Sequence, residues 1–361
     1  MAVITPSRRV RRTPFTPGVE AAGVKAYTVY NRMLLAAEIG SFVDDYHHLK
    51  KHVQIWDVAV ERQVSIRGTD AEQLMRMISP RDISKMGDDQ CYYIPVVGRD
   101  GGMLNDPVAL KLADDHYWIS IADSDYLQYV LGVSDALGLD VIVDEPEISP
   151  LAIQGPKSDD LMAEIFGDDI RALKFFRHAR FSFEGYDMVI ARSGYSKQGG
   201  FEIYVEGDDY AMPLWDRFMT MGERYQIKAG CPNLIERVEG GLLSYGNDMR
   251  RENTPFEAGL SKFVNSADDY LGRKALEMRP AKQMIRPVAI SGDIPVCDRA
   301  WPVYAQGRKV GQVTSAAFSP DFATNVSIAM IADSHWDAGT QLEIETQDGM
   351  RDGVVQSKFW I

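Results

Sequence analysis

The alternation of apolar and polar residues predicts two consecutive segments with the same order of strands and helices. In the first segment, a strand at 61–67 leads into a helix whose apolar residues Ala71, Leu74, Met75 and Ile78 recur at the spacing of one helical face. The other elements of this segment are strands at 92–97, 107–112 and 116–121, a helix at 124–137 and a strand at 139–144. This order is the β-α-β-β-α-β pattern of a ferredoxin-like unit.

The second segment repeats the pattern. Its elements are a strand at 151–154, a helix at 158–166, strands at 180–184, 187–192 and 201–205, a helix at 211–225 and a short strand near Ile227. Two such halves side by side leave a crevice between them, which is a common place for a small-molecule site. We therefore expect a site shared by the two halves.

After about residue 280, short strands separated by glycine-containing turns replace this pattern. They are predicted at 285–291, 301–305, 309–315, 327–331, 341–346 and 353–358. Strands of this kind predict a small antiparallel β barrel or sandwich, of which we expect the barrel. The chain is thus predicted to be an α+β protein built from two ferredoxin-like split β-α-β halves and a barrel. Its predicted segments are an N-terminal arm and helix (1–55), the first half (56–147), the second half (148–280) and the barrel domain (281–361).

Composition excludes several classes of partner. The chain of 361 residues has 39 Lys and Arg against 52 Asp and Glu, and this net charge of −13 argues against nucleic acid or an anionic membrane as the main partner. Cys91, Cys231 and Cys297 are odd in number and far apart, as expected in a reducing compartment. No apolar run approaches the ~20 residues of a membrane span. We therefore expect a cytoplasmic protein.

Residues 191–206 carry the side chains best suited to bind a ligand. They are predicted to form two strands around a glycine-rich bend, with Tyr195, Glu202 and Tyr204 close together. Glu202 lies between Phe201 and Ile203 in an alternating strand, so it should face away from both. A carboxylate beside phenol rings suits a flat heterocycle with several N–H donors, such as a pterin. A surface glutamate next to a turn is the alternative reading.

Other motifs of the chain stand in a recognisable order around this bend. They are Gly101-Gly-Met-Leu-Asn-Asp-Pro-Val108, Leu151-Ala-Ile-Gln-Gly-Pro-Lys157, Cys231-Pro-Asn-Leu-Ile-Glu-Arg237 with its continuation to Asp248, Pro255-Phe-Glu-Ala-Gly-Leu260 and Tyr270-Leu-Gly-Arg-Lys-Ala-Leu276. Together with the bend they resemble the landmarks of the glycine-cleavage T-protein family, which comprises folate-dependent aminomethyltransferases and their relatives. The resemblance extends from about Tyr46 to the C-terminus and implies that the second half binds tetrahydrofolate.

Two departures from the aminomethyltransferases refine this resemblance. The bend reads Gly194-Tyr-Ser-Lys-Gln198 where they usually have Gly-Tyr-Thr-Gly-Glu, and the upstream turn reads Asn105-Asp106 where they usually have paired aspartates. Both changes, together with Ser7-Arg-Arg-Val-Arg-Arg-Thr-Pro-Phe15 and Cys91-Tyr-Tyr93, resemble the branch that demethylates dimethylsulfoniopropionate. This implies a methyltransferase that passes a methyl group from that sulfonium to N5 of tetrahydrofolate, the methyl acceptor, giving 5-methyltetrahydrofolate and 3-methylmercaptopropionate.

The resemblance also implies roles for individual residues. Asp106 and Tyr92 are the expected catalytic residues. The expected folate-binding residues are Asp106, Glu202, Tyr195 and Arg237, and the expected substrate-binding residues are Tyr195, Tyr204, Tyr93, Trp56 and Lys197. Tyrosines around a carboxylate suit a sulfonium or quaternary ammonium cation, although core packing is the alternative for each ring.

Chemistry explains why a demethylase could relax the acidic pattern. Ammonia release from an aminomethyl group needs a carboxylate acid or base, whereas a thioether leaves as a neutral molecule. The alternatives left open are a glycine-cleavage aminomethyltransferase, a folate-dependent N-demethylase of a betaine-like amine, and a folate-binding regulator without turnover. Whether Asp106 acts as an acid or only orients the pterin stays open, as does homodimer formation. His48 and His52 share a helical face, but no metal site is expected because no companion ligands accompany them.

Overall fold

The computed structural model describes Thr5 and residues 7–361, so the first part of the predicted N-terminal arm lies outside the described residues. The chain divides into two compact units. Unit 1 comprises the described residues up to Met75, together with Ile83–Ile94 and Pro107–Asn233. Unit 2 comprises Arg76–Asp82, Pro95–Asp106 and Leu234–Ile361.

Strands follow one another along most of the described chain. They are β1 (Ala26–Tyr30), β2 (Met33–Glu38), β3 (Gln54–Asp57), β4 (Gln63–Arg67), β5 (Cys91–Tyr93), β6 (Val96–Val97), β7 (Met103–Asn105), β8 (Val108–Ala113), β9 (His116–Ser120), β10 (Ile142–Asp144), β11 (Ile148–Gln154), β12 (His178–Phe183), β13 (Tyr186–Ala191), β14 (Gly200–Glu206), β15 (Lys228–Gly230), β16 (Gln283–Ile290), β17 (Trp301–Ala305), β18 (Arg308–Ser319), β19 (Thr324–Ala332), β20 (Gln341–Thr346) and β21 (Gly349–Val355).

The α-helices are short, and none among the described residues is long and apolar enough to cross a membrane. They are α1 (Thr16–Ala21), α2 (Phe42–Leu49), α3 (Ala71–Ile78), α4 (Tyr126–Leu137), α5 (Ser158–Phe166), α6 (Ala211–Met221), α7 (Leu234–Glu239) and α8 (Arg273–Glu277). Single 3-10 turns add Ile83–Lys85, Asp168–Ala172, Gly222–Tyr225 and Ser261–Phe263.

The first sheet of unit 1 has the strand order β10-β4-β9-β8-β5, with every neighbouring pair antiparallel. Strands β4, β8, β9 and β10 with helices α3 and α4 form the predicted ferredoxin-like half, and β5 extends its edge. The predicted strand at 92–97 is interrupted at Pro95, because proline lacks the N–H that a strand ladder requires.

The second sheet has the order β12-β13-β14-β11-β3-β15. Only the β15–β3 pair is parallel. One face of this sheet packs against α5 and α6, as shown by a fully buried cluster that includes Ile153, Ile203, Leu161, Leu214 and Phe218. The fold class predicted from the sequence is therefore confirmed.

Strand β3 joins the second sheet, where Trp56 pairs with Ala152 and Ile55 with Ile153. Residue 56 is the predicted start of the first half, whereas β3 pairs with β11 and β15 in the second sheet. The predicted segment boundaries otherwise stay a prediction.

The opposite face of the second sheet packs against the first sheet. Tyr204, Val189 and Ala191 of the second sheet share one buried cluster with Cys91 and Trp118 of the first. The rings of Tyr204 and Trp118 lie 6.0 Å apart between centroids. This face is the one that carries Glu202, since Glu202 and Tyr204 are two residues apart on β14.

Unit 2 contains the hairpin β6–β7, helix α7 and a closed antiparallel barrel in the order β16-β19-β18-β17-β20-β21. Pairing of Val288 with Val355 closes the barrel between β16 and β21. Its interior is apolar and fully buried at positions such as Val303, Val313 and Ile344. The barrel predicted after residue 280 is thus present, and β17 and β20 have the predicted bounds.

Candidate functional site

The glycine-rich bend before β14 is held in place by the side-chain amide of Gln154. This amide donates to the carbonyl oxygen of Ser193 at 3.1 Å, and its oxygen accepts from the hydroxyl of Ser196 at 2.8 Å. Gly194 and Gly200 have φ values of 144° and 152°, and a Cβ on either would meet the Gln154 amide. The chain therefore needs glycine at both positions to wrap around Gln154.

Glu202 is 8% exposed and lies on β14 directly opposite Ala152 of β11 and Ala191 of β13. Both of these neighbours are alanines, so no bulky side chain stands directly beside Glu202 on the adjacent strands. The Ser193 hydroxyl donates a hydrogen bond of 2.5 Å to Oε2 of Glu202. The bend thus supplies the donor that orients this carboxylate.

Tyr204 supplies a second hydrogen bond to Glu202. The tyrosine is 1% exposed and also bonds to the Ser120 hydroxyl on β9. Burial, followed by the nearby carboxylate of Glu202, raises the pKa of Tyr204 well above its usual value. The phenol therefore stays neutral and acts as a donor that positions Glu202.

Burial raises the pKa of Glu202, while the hydrogen bonds from Ser193 and Tyr204 lower it in part. A carboxylate offers about four lone-pair sites, and two donors occupy only part of that capacity. A ligand that presents further N–H groups would complete its set of hydrogen bonds. Such a ligand would also favour the ionised form of Glu202.

Trp56 lies in the same row of the sheet as Ala152 and Glu202, but its side chain is fully buried. It packs with Leu49 and Val58, and its indole N–H donates to Oε1 of Gln54 at 2.8 Å. Trp56 is therefore part of the buried core next to Ala152. Its predicted contact with substrate stays a prediction.

Tyr92 and Tyr93 are half-buried on β5 and point to opposite sides of the first sheet. Cys91 packs with Tyr204 in the cluster between the two sheets, so Tyr93 is the tyrosine that shares this face. The Tyr92 hydroxyl donates to the carbonyl oxygen of Lys85 at 3.2 Å. The structure thus places Tyr93, rather than Tyr92, on the side of Glu202.

Tyr195 and Lys197 both lie in the bend, where Tyr195 is half-buried and Lys197 is exposed. Their predicted contacts with folate and substrate stay predictions. Ser193 and Gln154 were not singled out by sequence reasoning, although both stand within the motifs that carried the resemblance. The signal that could have found Gln154 is a polar residue at the end of an otherwise apolar strand.

Asp106 and Arg237 belong to unit 2. Asp106 follows strand β7 directly and lies close enough to Tyr245 for its charge to raise the pKa of that phenol, after the larger effect of burial. The Tyr245 hydroxyl donates to the carbonyl oxygen of Met103 at 3.0 Å. The shared site of Asp106 and Glu202 stays a prediction.

The guanidinium of Arg237 is engaged in a buried network. It donates to Oδ2 of Asp248 at 2.8 Å and to the Ser315 hydroxyl at 2.7 Å. Asp248 also accepts from the hydroxyls of Thr314 and Ser315. Arg237 therefore ties helix α7 to barrel strand β18, and folate binding by this residue stays a prediction.

The described residues also include a cavity on the barrel, whereas they contain no cluster of metal ligands. Among the residues that the structure describes, no group of three or more His, Cys, Asp and Glu side chains could hold a metal ion. A cavity of about 580 Å³ opens on the barrel, and its lining includes Phe318, Asn325 and Gln356. None of the predicted site residues lines that cavity.

The chain belongs to the glycine-cleavage T-protein family. The profile of the GCVT N-terminal domain matches residues 19–268, and that of the glycine cleavage T-protein C-terminal barrel domain matches residues 286–360. The family resemblance read from the sequence is thus confirmed.

Particular relatives narrow this assignment. The chain is 60% identical to the dimethylsulfoniopropionate demethylase DmdA of Ruegeria pomeroyi over 100% of both chains. It is 27% identical to an aminomethyltransferase of Thermoanaerobacter pseudethanolicus over 90% of each. The crystal structure of the glycine cleavage system aminomethyltransferase T from Bartonella henselae has the same fold, with a TM-score of 0.86 at 22% identity over 97% of this chain and 98% of that one.

Proposed function

We propose that this protein demethylates dimethylsulfoniopropionate and transfers the methyl group to N5 of tetrahydrofolate. The products are 5-methyltetrahydrofolate, 3-methylmercaptopropionate and the proton that N5 loses when it is methylated. The observation that carries the proposal is the 60% identity over full length to a demethylase of this substrate, compared with 27% to an aminomethyltransferase.

The residues around Glu202 fit a reduced pterin. The carboxylate is buried, accepts from Ser193 and Tyr204, and keeps acceptor capacity for the N–H groups of a pterin ring. A buried carboxylate that lacks such donors would be costly to keep ionised. We assign Glu202 to the pterin, and we assign Tyr195 to stacking on the ring.

Tetrahydrofolate supplies the nucleophilic nitrogen that accepts the methyl group. The protein then has two tasks, which are to hold the S–CH3 bond in line with that nitrogen and to exclude water. Alignment of reacting groups can contribute ~7–11 kcal/mol in favourable cases. No general acid is needed for the leaving group, because methylmercaptopropionate departs as a neutral thioether with its carboxylate unchanged.

The remaining assignments follow the same chemistry. Asp106 orients the pterin and offsets the positive charge that develops on methylation. Tyr93 is the tyrosine of β5 best placed to face the sulfonium by cation–π attraction, and Lys197 holds the substrate carboxylate. The reaction takes place in the cytoplasm.

A turnover assay tests the proposal. Purified protein is incubated with tetrahydrofolate and one donor at a time: dimethylsulfoniopropionate, glycine betaine or an aminomethyl-lipoyl carrier. We expect one 5-methyltetrahydrofolate per thioether from dimethylsulfoniopropionate alone, because a thioether leaves far more readily than a tertiary amine. Methyl transfer from betaine would favour an N-demethylase, and ammonia release from the carrier would favour an aminomethyltransferase. Folate binding without turnover of any donor would indicate a regulator.

A further inference from the structure

The cavity on the barrel opens where strands β16 and β21 end and β19 begins. Its volume of about 580 Å³ falls within the ~300–1,000 Å³ of small-molecule pockets, and the mouth of a β barrel is a common place for such a site. All of its lining residues belong to unit 2. The proposed reaction gives the cavity no role, since none of the residues assigned to the folate or the sulfonium lines it.

One row of side chains crosses three strands at this end of the barrel. Asn325 of β19 pairs with Ile290 of β16 on one side and with Phe318 of β18 on the other. Residues paired in this way point to the same face, with Cβ atoms ~4.5–5.5 Å apart. Ile290 is buried in the barrel interior, whereas the Phe318 ring is 55% exposed. The interior row therefore continues into the cavity, where the Asn325 amide stands beside an aromatic ring.

The side-chain amide of Asn325 is held in one orientation. Its Nδ2 donates to the carbonyl oxygen of Ile290 at 2.9 Å and to that of Gly292 at 2.6 Å. Both N–H groups are therefore used, and only the acceptor Oδ1 remains. Asn325 is 6% exposed, yet its Oδ1 is not fully enclosed and accepts from none of the described residues. The cavity thus contains a fixed hydrogen-bond acceptor that a ligand could use.

The charge around this acceptor is negative. Among the described residues that line the cavity, none is Lys, Arg or His. The Asp293 carboxylate lines it without an ion-pair partner in the described chain, because the neighbouring Arg351 donates instead to the carbonyl oxygen of Asp293 at 2.6 Å. The Gln356 amide likewise donates to the carbonyl oxygen of Val354 at 3.0 Å and leaves its own oxygen as an acceptor. The lining therefore favours a cation with N–H donors.

We propose that this cavity binds a small organic ammonium ion in which the N–H donors are attached to an apolar or aromatic group. An N–H of the ammonium donates to Oδ1 of Asn325, and its charge faces Asp293. The apolar part packs on the Phe318 ring, whose face also attracts a cation. An anion of the same shape meets acceptors and a carboxylate. A quaternary ammonium keeps the charge but has no N–H for Asn325.

Three probes of similar shape test these requirements. Phenethylammonium has the charge, the N–H donors and a ring, N,N,N-trimethylphenethylammonium lacks the donors, and 3-phenylpropionate reverses the charge. Titrations of the full-length protein followed by ligand-observed NMR give the Kd of each. We expect saturable binding of phenethylammonium, about tenfold weaker binding of the trimethyl compound and no binding of the anion.

Variants locate the bound probe, because a protein with a net charge of −13 attracts cations in general. Asp293→Asn removes the carboxylate and Phe318→Leu removes the ring, and both side chains are exposed. We expect each change to weaken phenethylammonium binding by about two- to fivefold, and the double variant to weaken it by about tenfold. The matched controls are Asp333→Asn, just past the other end of β19, and Phe175→Leu, an exposed ring of unit 1. Both controls should bind the probe as the wild type does.

The proposal is overturned if phenethylammonium shows no saturable binding below about 10 mM, or if the trimethyl compound or the anion binds equally well. It is also overturned if the double variant binds phenethylammonium like the wild type, since the probe then binds elsewhere. Thermal melting of every variant shows whether it is folded, so that a loss of affinity is counted only for folded protein. None of these outcomes depends on methyl transfer.

Discussion

Glu202 is the residue on which folate recognition by this protein depends most in our proposal. Replacing it with alanine removes an acceptor of charged hydrogen bonds, so Glu202→Ala should weaken tetrahydrofolate binding by about 1.5–3 kcal/mol. Glu202→Gln should fall between, because one acceptor oxygen survives. Glu206→Ala is the matched control, since Glu206 lies on the same strand and pairs with Arg180 at the surface. Calorimetry that finds unchanged affinity for Glu202→Ala would contradict the assignment.

His48 makes the stability of the protein depend on pH. Burial lowers its pKa to about 4, and its Nε2 lies 2.7 Å from the carbonyl oxygen of Gln226 while Nδ1 faces the Gln54 amide. The neutral ring satisfies both contacts by donating from Nε2 and accepting at Nδ1. Because the folded pKa lies below the unfolded value of about 6.5, the unfolded state binds more protons between these values. The stability due to neutral His48 is therefore complete above about pH 6.5 and is lost as the pH falls toward 4.

As the pH falls through that window, we expect the wild type to lose on the order of 1–3 kcal/mol of unfolding free energy through His48. The variant His48→Gln should not show this loss. Urea unfolding at several pH values measures the difference between variant and wild type. The comparison with the wild type is needed because a second group also titrates in this range. Burial raises the pKa of Asp57 to about 6, so the contribution of Asp57 to stability is lost as the pH rises, opposite to that of His48. His335→Gln on the barrel is the control and should keep the wild-type profile. An identical profile for His48→Gln would contradict this account.

At the scale of elements, the turn into β14 depends on glycine at position 200. A Cβ there would lie 2.3 Å from the carbonyl oxygen of Ile153, and the φ of 152° is unfavourable for other residues. Gly200→Ala should therefore destabilise the protein by more than the ~1–3 kcal/mol of a strained backbone position alone. Gly199→Ala is the matched control, because a Cβ at Gly199 meets nothing within 4 Å at a φ of 77°. Denaturant unfolding that ranks Gly199→Ala as the more damaging change would refute the argument.

The order of helices and strands could be predicted from the sequence, because apolar residues recur at a different spacing in a helix than in a strand. Helix α5 has the predicted bounds of 158–166, and its residues Leu161 and Met162 are fully buried. The hairpin β1–β2 was not predicted, since its strands lack the alternation that marks a half-buried strand. The place of β3 in the second sheet was also not predicted. All four residues of β3 are buried, and their sequence does not indicate which strand they pair with.

At the scale of the whole molecule, unit 2 contains a buried ion pair between Arg237 of α7 and Asp248, and Asp248 also accepts from Thr314 and Ser315 of barrel strand β18. The side chain of Asp248 is fully buried and that of Arg237 is 9% exposed. Asp248→Ala leaves a buried guanidinium without its partner, which should cost about 3–5 kcal/mol of unfolding free energy. Glu277→Ala removes an exposed partner of Arg273 in the same unit and should cost below about 1 kcal/mol. Chemical unfolding that gives both variants a similar loss of unfolding free energy would show that the buried pair contributes no more to stability than an exposed one.

The sequence by itself determined the class of fold, the family and the position of Glu202 on a strand, facing away from Phe201 and Ile203, whereas its burial came from the structure. These follow from local information, namely the period of apolar residues, the positions of glycine, and motifs in a fixed order. Only the tertiary structure decided that Ser193 and Tyr204 orient Glu202, that Trp56 is enclosed in the core, and that Arg237 pairs with Asp248. The contacts of Glu202 and Trp56 depend on which strands pair and in which register, and a one-residue shift would turn these side chains to the other face.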